Sequence, residues 1–219
     1  MNETDYLNDL SGLGYAHLQE TFDDSLTWGS VRSPATAPSV FSPGIIWSAN
    51  NSNSGVSTST GPARTGWAFF SSPHGDYASG TGCDVPGGCG DGFIGTSDET
   101  LFGVGGWISG TVGADIDFIL DGDDLNPITF DGAPAFTGSS GHLFFGVIDT
   151  DGFTHFEVRE LEGTIGDQKL IWIDDVIIGV PEPSTRMLSS VAMICLALLR
   201  RRHTTLVLPR FRGQLEAVV

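Results

Sequence analysis

The sequence predicts an all-β protein, an antiparallel β-sandwich of jelly-roll type. Short apolar runs alternate with turn residues from residue 20 to residue 179, as in a series of short antiparallel strands. The 30 glycines, 11 prolines and single lysine are unlike a helical protein, and 40% hydrophobic residues with 14 Phe are too many for a disordered chain. At 219 residues, the chain suffices for one domain core with short appendages.

The predicted elements follow in order along the chain. Residues 1–19 show no clear period and are predicted to be an irregular N-terminal segment. The β-sandwich domain is predicted over 20–179, where the clearest period of two places Ile116 and Phe118 on one face and Asp115 and Asp117 on the other. The predicted strands cover residues 39–48, 66–72, 101–109, 114–120, 127–130, 142–148, 153–161 and 169–178.

Two connections are predicted from turn chemistry. The tetrapeptide 149–152, Asp-Thr-Asp-Gly, is typical of a hairpin turn in which Gly152 adopts a positive φ. The Ser-, Asn- and Thr-rich residues 49–64 are predicted to form an exposed loop.

The charge is distributed unevenly and excludes some partners. Residues 1–180 hold four of the ten basic and 25 of the 27 acidic residues, a net charge of −21. Nucleic-acid binding depends on Lys and Arg that neutralise phosphates, so the composition argues against it. Adsorption on anionic lipid is disfavoured for the same reason.

Two pairs of aspartates mark the ends of the predicted domain. Asp23 and Asp24 begin it, and Asp174 and Asp175 end it. Neighbouring buried carboxylates repel each other and need a cation or protonation, and calcium prefers such oxygen ligands. In jelly-roll carbohydrate-binding domains an acid near the first strand and one near the last share a structural calcium, and Asp23 with Asp175 resembles that arrangement. The alternative is that all four are solvated turn residues.

Cys83 and Cys89 bracket a short loop rich in Gly and Pro. In an oxidising compartment we expect them to form a disulfide, worth about 2 kcal/mol for so short a loop. Two free thiols in a flexible loop are the alternative.

The sequence offers little catalytic chemistry. It contains neither a metalloprotease His-Glu-x-x-His motif nor a Gly-x-Ser-x-Gly elbow. Glu157, Glu160 and Glu162 would supply the two carboxylates of a glycosidase, but with 27 acids in the chain this clustering carries little information. We therefore predict a non-enzymatic protein. Aromatic side chains that stack on sugars would indicate a carbohydrate-binding module instead, although core positions are the more common role of Trp28, Trp47, Trp67 and Trp107.

After residue 179 the composition changes abruptly. Pro181, Glu182 and Pro183 form a linker that cannot be a central strand, because prolines remove ladder donors. Residues 187–199 carry no charge, and Arg200, Arg201 and Arg202 follow at once. A helix of this length spans roughly 20 Å, short of the roughly 30 Å hydrocarbon core, so a membrane segment and a buried C-terminal helix both remain open.

A Pro-Glu-Pro linker, an apolar helix and an arginine cluster in this order resemble the PEP-CTERM sorting signal of bacteria. The resemblance implies that residues 180–203 are a sorting tail, recognised by a membrane-embedded exosortase that cuts at the Pro-Glu-Pro. It also implies localisation in the cell envelope or extracellular matrix, with membrane anchoring before the cut and a role among exopolysaccharides or in a biofilm. Residues 204–219 form an atypical extension. Residues 1–18 show no export signal, so either the true start lies upstream of Met1 or the chain is not secreted.

Overall fold

A computed structural model of the protein describes residues 1–73, 90–110, 114–123, 126–133, 141–160 and 168–182. All of its strand ladders are antiparallel, which confirms the all-β prediction. The elements are α1 (Glu3–Gly12), β1 (Tyr15–Glu20), α2 (Ser25–Trp28), a 3₁₀ turn (Gly29–Val31), β2 (Ser39–Phe41), β3 (Ile46–Ala49), β4 (Val56–Ser59), β5 (Ala68–Ser71), β6 (Gly92–Gly110), β7 (Ala114–Leu120), β8 (Ile128–Ala133), β9 (Leu143–Glu160) and β10 (Ile171–Pro181).

A ribbon of two long strands organises the fold. β6 and β9 pair along most of their length, with register shifts between Thr96 and Gly103. The first part of β6 also pairs with β3, and the last part with β10. β10 pairs further with β1 and β5, whereas β9 pairs with β7, which carries the edge strand β8. Strands that change partners at an irregularity link the two layers of a sandwich.

The layers meet in an aromatic core. β3 and β5 share no ladder, yet the rings of Trp47 and Phe69 lie 5.1 Å apart, centroid to centroid. Phe69 also contacts Phe93 edge-on at 5.0 Å, and Phe156 lies 5.8 Å from Trp47. These side chains are fully buried. Ring contacts between unpaired strands show that the sheet closes over a common interior, as in a β-sandwich.

Residues 1–19, predicted to be irregular, instead form α1 and most of β1. The Asn2 side chain caps α1 by accepting a hydrogen bond from the Asp5 backbone N–H at 2.9 Å. Tyr6 and Leu10 project from one face of the helix, one turn apart, and both are fully buried. With only two core residues on the helix, the period in the sequence is too weak to predict it.

Glycines of three strands form the seat for α1. An added Cβ at Gly146 would lie 2.5 Å from the Tyr6 ring, and one at Gly179 would lie 2.7 Å from a Leu10 methyl. A Cβ at Gly103 would meet the Tyr6 hydroxyl at 2.6 Å. These contacts are closer than real Cβ atoms permit, so the helix packs only because side chains are missing there.

Two connections differ from the predictions. Residues 149–152 do not form a hairpin, because β9 continues through them and both of its halves pair with β6; Gly152 does have a positive φ, of 79°. The predicted loop 49–64 contains β4, where Val56, Ser57 and Thr58 are fully buried. The predicted strand 39–48 is two strands, β2 and β3, joined by a turn with Gly44 at φ 79°.

The compact unit runs from Met1 to Glu182. β10 ends at Pro181, two residues beyond the predicted domain boundary. The predicted C-terminal helix over 187–199 lies outside the described residues.

The glycine seat can be tested with a methyl group. We expect Gly146→Ala to lower the free energy of unfolding by about 1 to 3 kcal/mol, because the new Cβ overlaps the buried Tyr6 ring. Gly12→Ala, at the end of α1 where an added Cβ meets open space, is the matched control and should not destabilise. Urea unfolding of both variants measures the difference, and equal stabilities would contradict this packing.

Candidate functional site

The acidic pair at the end of the domain lies on an irregularity of β10. The ladder between β10 and β6 shifts register between Asp174 and Ile177, and Asp175 has a φ of 47°. A bulge of this kind re-aims side chains, and Asp tolerates positive φ better than most residues. Both aspartates therefore leave the regular alternation of the strand at this point.

Asp174 is nearly fully buried, with 1% of its surface exposed. Its Oδ2 accepts hydrogen bonds from the backbone N–H groups of Arg64 at 2.8 Å and Thr65 at 3.1 Å. Its Oδ1 accepts from the N–H of Asp175 at 2.8 Å. Burial outweighs these hydrogen bonds and, with the nearby charge of Asp175, raises the pKa of Asp174 from 3.8 to about 6.

Arg64 supplies positive charge to this region. Its Nη1 lies 3.3 Å from Asp175 Oδ2 and 3.8 Å from Glu3 Oε2. Its guanidinium lies 4.1 Å from the centre of the Trp107 ring, whose Nε1 donates to Glu3 at 3.2 Å. Arg64 thus connects α1, β6 and β10. Sequence reasoning missed it, because no local pattern links residue 64 to residues 3, 107 and 175.

Asp23 lies in the same region, where its carboxylate contacts Gly66. An added Cβ at Gly66, which has a φ of 64°, would lie 2.1 Å from Asp23 Oδ1, so the carboxylate packs directly on the glycine. Burial raises the pKa of Asp175, and the charges of Glu3 and Asp23 add to this, whereas Arg64 opposes it. We call Glu3, Asp23, Arg64, Trp107, Asp174 and Asp175 the Arg64 cluster.

Asp24 does not belong to the cluster. It is the N-cap of α2, where its Oδ1 accepts from the Leu26 N–H at 3.0 Å and its Oδ2 from the Thr27 hydroxyl at 2.6 Å. The hydrogen bond from the Thr27 side chain, followed by that from Leu26, lowers the pKa of Asp24. The charge of Asp23 acts on Asp175, whereas Asp24, predicted for the same site, has a local structural role.

The predicted calcium site can be compared with this geometry. Calcium takes six to eight oxygen ligands. In the part of the chain that the structure describes, no group of three His, Cys, Asp or Glu side chains is arranged to hold a metal ion. Asp174 accepts three backbone N–H groups and Arg64 lies at Asp175, so Asp23 and Asp175 alone do not make up a calcium ligand set.

The four tryptophans named as possible sugar contacts lie in the core or under an arginine. Trp28 and Trp47 are fully buried in the core. Trp67 and Trp107 are half-buried, and an arginine guanidinium covers each ring, Arg32 at 3.8 Å from the ring centre of Trp67 and Arg64 over Trp107. One face of each of these two rings is therefore covered by the chain itself.

The candidate glycosidase carboxylates are buried. Glycosidase carboxylates must face each other across an open cleft, about 5 to 9 Å apart. Glu157 is 7% exposed and accepts from the Asn50 side chain at 3.0 Å, while Glu160 is 2% exposed and lies 3.2 Å from Lys169 Nζ. Glu162 lies outside the described residues.

The residues of the predicted sorting signal are only partly described. Pro181 and Glu182 are exposed at the end of β10. Pro183, Arg200, Arg201 and Arg202 lie outside the described residues, as do Cys83 and Cys89, so their disulfide stays a prediction. Over the ranges that the structure does describe, no helix has the length and hydrophobicity of a membrane span.

Comparisons with known proteins give distant likenesses only. No family model and no curated protein sequence matches the chain. Among solved structures, it is similar to the K1 cleaved adhesin domain of Lys-gingipain from Porphyromonas gingivalis W83, with a TM-score of 0.39 and 11% identity over 74% of this chain and 97% of that one. A second likeness is to TmCBM61 in complex with β-1,4-galactotriose, with a TM-score of 0.36 and 13% identity over 73% and 97% of the two chains. These values are too low to assign a function.

The buried carboxyl of Asp174 makes stability depend on pH. Its folded-state pKa of about 6 lies above the ordinary 3.8, so its contribution is fully present below pH 3.8 and is lost as the pH rises through about 6. We expect the free energy of unfolding to fall by up to about 3 kcal/mol more in the wild type than in Asp174→Asn between about pH 4 and pH 7. Asp98→Asn, at an exposed position, is the control and should follow the wild type. Parallel curves for all three proteins would contradict the assignment.

Calcium binding at Asp23 and Asp175 stays a prediction with a direct test. If the ion binds, the melting temperature is higher in calcium chloride than in EDTA, and Asp23→Asn removes the difference while Asp98→Asn keeps it. Equal melting temperatures of the wild type in both solutions would contradict calcium binding.

Proposed function

We propose that this protein is an exported, non-enzymatic protein of the cell envelope or extracellular matrix, sorted through its C-terminal tail. In this proposal an exosortase-type membrane transpeptidase recognises the tail and cuts at Pro181-Glu182-Pro183. The observation that carries the proposal is that the compact unit ends at Glu182, inside this motif.

A cut at this position would fall outside the described hydrophobic core. Ile178 is fully buried and Val180 is half-buried against the core, whereas Pro181 and Glu182 are exposed. No residue after Val180 belongs to the described hydrophobic core. Both layers and the seat of α1 are built from residues that precede Pro183, so the product of a cut at this motif would retain them.

The strand pairing of β10 also restricts where a peptidase can act. Tyr15 pairs with Pro181, and Leu18 pairs with Ile178, so β1 covers β10 to its last residue. Peptide bonds within a paired strand become accessible only when the strand opens. In the folded protein, the first peptide bond beyond the paired part of β10 is therefore the one that follows Pro181.

The charge of the domain fits a matrix environment. A net charge of −21 over residues 1–180 keeps the domain soluble and repels anionic lipid, so the domain would not adsorb on the membrane that holds its tail. We propose a polysaccharide of the matrix as its surroundings. Because both half-buried tryptophans are covered by arginine, we do not assign a specific sugar-binding platform to it.

The sorting proposal predicts the effect of changing the linker. In the native host, Pro181→Ala with Glu182→Ala should leave the protein uncut and retained in the inner membrane, whereas the wild type is released from the tail. Pro38→Ala with Glu99→Ala is the matched control, since it changes one exposed proline and one exposed glutamate elsewhere and should be processed normally. Fractionation followed by immunoblotting reads the result, and unchanged processing of the linker variant would contradict the proposal.

A further inference from the structure

The only lysine of the chain is placed against a buried carboxyl group. Lys169 Nζ lies 3.2 Å from Glu160 Oε2, and the side chains are 11% and 0% exposed. Lysine normally keeps its ammonium group in water, so an enclosed lysine in a chain with no other lysine is unusual. Glu160 ends β9, and Lys169 comes shortly before β10.

A second carboxyl group holds this pair in place. Asp91, which is 1% exposed, accepts the backbone N–H of Lys169 through Oδ2 at 2.7 Å. Its own backbone N–H donates to Glu160 Oε1 at 3.2 Å, and its carbonyl accepts the Glu160 N–H at 3.1 Å. Asp91 therefore fixes the backbone of Lys169 and both the backbone and the side chain of Glu160.

The surroundings exclude water from Glu160. An added Cβ at Gly90 would lie 2.4 Å from Glu160 Cγ and 2.2 Å from its carbonyl oxygen, so the backbone at Gly90 packs directly on this side chain. Two acids and one lysine share the enclosure, and burial raises the pKa of Glu160 to about 7, against the opposing effects of hydrogen bonds and of Lys169. A neutral Glu160 carboxyl group beside the Lys169 ammonium group is therefore accessible near neutral pH.

We propose that Lys169 and Glu160 condense to an intramolecular amide bond, with Asp91 as the proton acceptor. An amine and a carboxylic acid held in contact in a dry site have the proximity that this reaction lacks in water. The nearby side chains of Glu157 and Arg159 form a pair of their own, with Oε1 and Nη1 4.0 Å apart, and have no role in the proposed reaction. The inference does not depend on sorting of the tail.

The reaction balances without an oxidant or a cofactor. Lys169 gives one ammonium proton to the Asp91 carboxylate, and its Nζ lone pair then attacks Cδ of the neutral Glu160 carboxyl group. The C–N bond forms, the C–OH bond breaks, and the hydroxyl leaves with the second proton from nitrogen as water. One proton stays on Asp91, so the cluster is neutral before and after the reaction.

Mass spectrometry of the reduced, denatured full-length chain tests the bond. We expect the wild type to be lighter than its sequence by one water molecule, and Lys169→Arg to have its full sequence mass, since guanidinium stays charged and is not acylated. Trypsin should then yield peptide 160–186 minus one water, because acylated Lys169 is not a cleavage site. Asp91→Asn should show little or no water loss.

Each other outcome overturns part or all of this proposal. Full sequence mass in the wild type, with separate peptides 160–169 and 170–186, would show an ordinary ion pair. Water loss that persists in Lys169→Arg would come from another site in the chain. Peptide 65–159 joined to peptide 160–186 would place the bond on Asp91 instead of Glu160, and full condensation in Asp91→Asn would remove Asp91 from the reaction.

Discussion

The structure depends on where four positively charged side chains lie in a strongly acidic domain. Residues 1–180 contain 25 acids and only Arg32, Arg64, Arg159 and Lys169 as bases. Arg32 donates to the backbone carbonyls of Phe22 and Asp23, at 2.7 and 3.0 Å, and so fixes the chain between β1 and α2. The other three each lie beside a carboxylate that the fold buries at least in part. Glu157, Glu160 and Asp175 each lie beside a base, whereas the buried carboxyl of Asp174 is held by three backbone N–H groups instead.

The regular part of the fold could be predicted from the sequence, and the part made by distant contacts could not. Alternation in β7 and the apolar runs of β5 and β10 are local, so those strands were predicted close to their observed bounds. Helix α1 was missed because its seat consists of glycines from β6, β9 and β10, and β4 was missed because its residues are polar although buried. In the candidate site, only the resemblance to jelly-roll carbohydrate-binding domains links Asp23 with Asp175, whose pKa the charge of Asp23 raises. Arg64 enters the site through a loop with no local signal.

The domain and its tail divide the proposed function between them. The domain supplies a folded, acidic unit. Its strand β1 pairs with the last strand, β10, as far as Pro181. In this proposal the tail over residues 180–203 supplies the apolar and cationic residues of the sorting signal, with four of the ten basic residues of the chain. Residues 204–219 hold two more. The basic residues lie mostly in the tail and the acidic residues mostly in the domain. Such a distribution suits the proposal, because arginines favour the cytoplasmic side of a membrane. The acidic domain, in contrast, is repelled by anionic lipid.

The C-terminus of the mature protein, measured by mass spectrometry after expression in the native host, tests the central claim most directly. The account predicts a C-terminus at or next to Glu182 or Pro183, with the whole compact unit retained. A mature protein that still carries residues 187–219 would contradict processing at the Pro-Glu-Pro motif and with it the proposed sorting function.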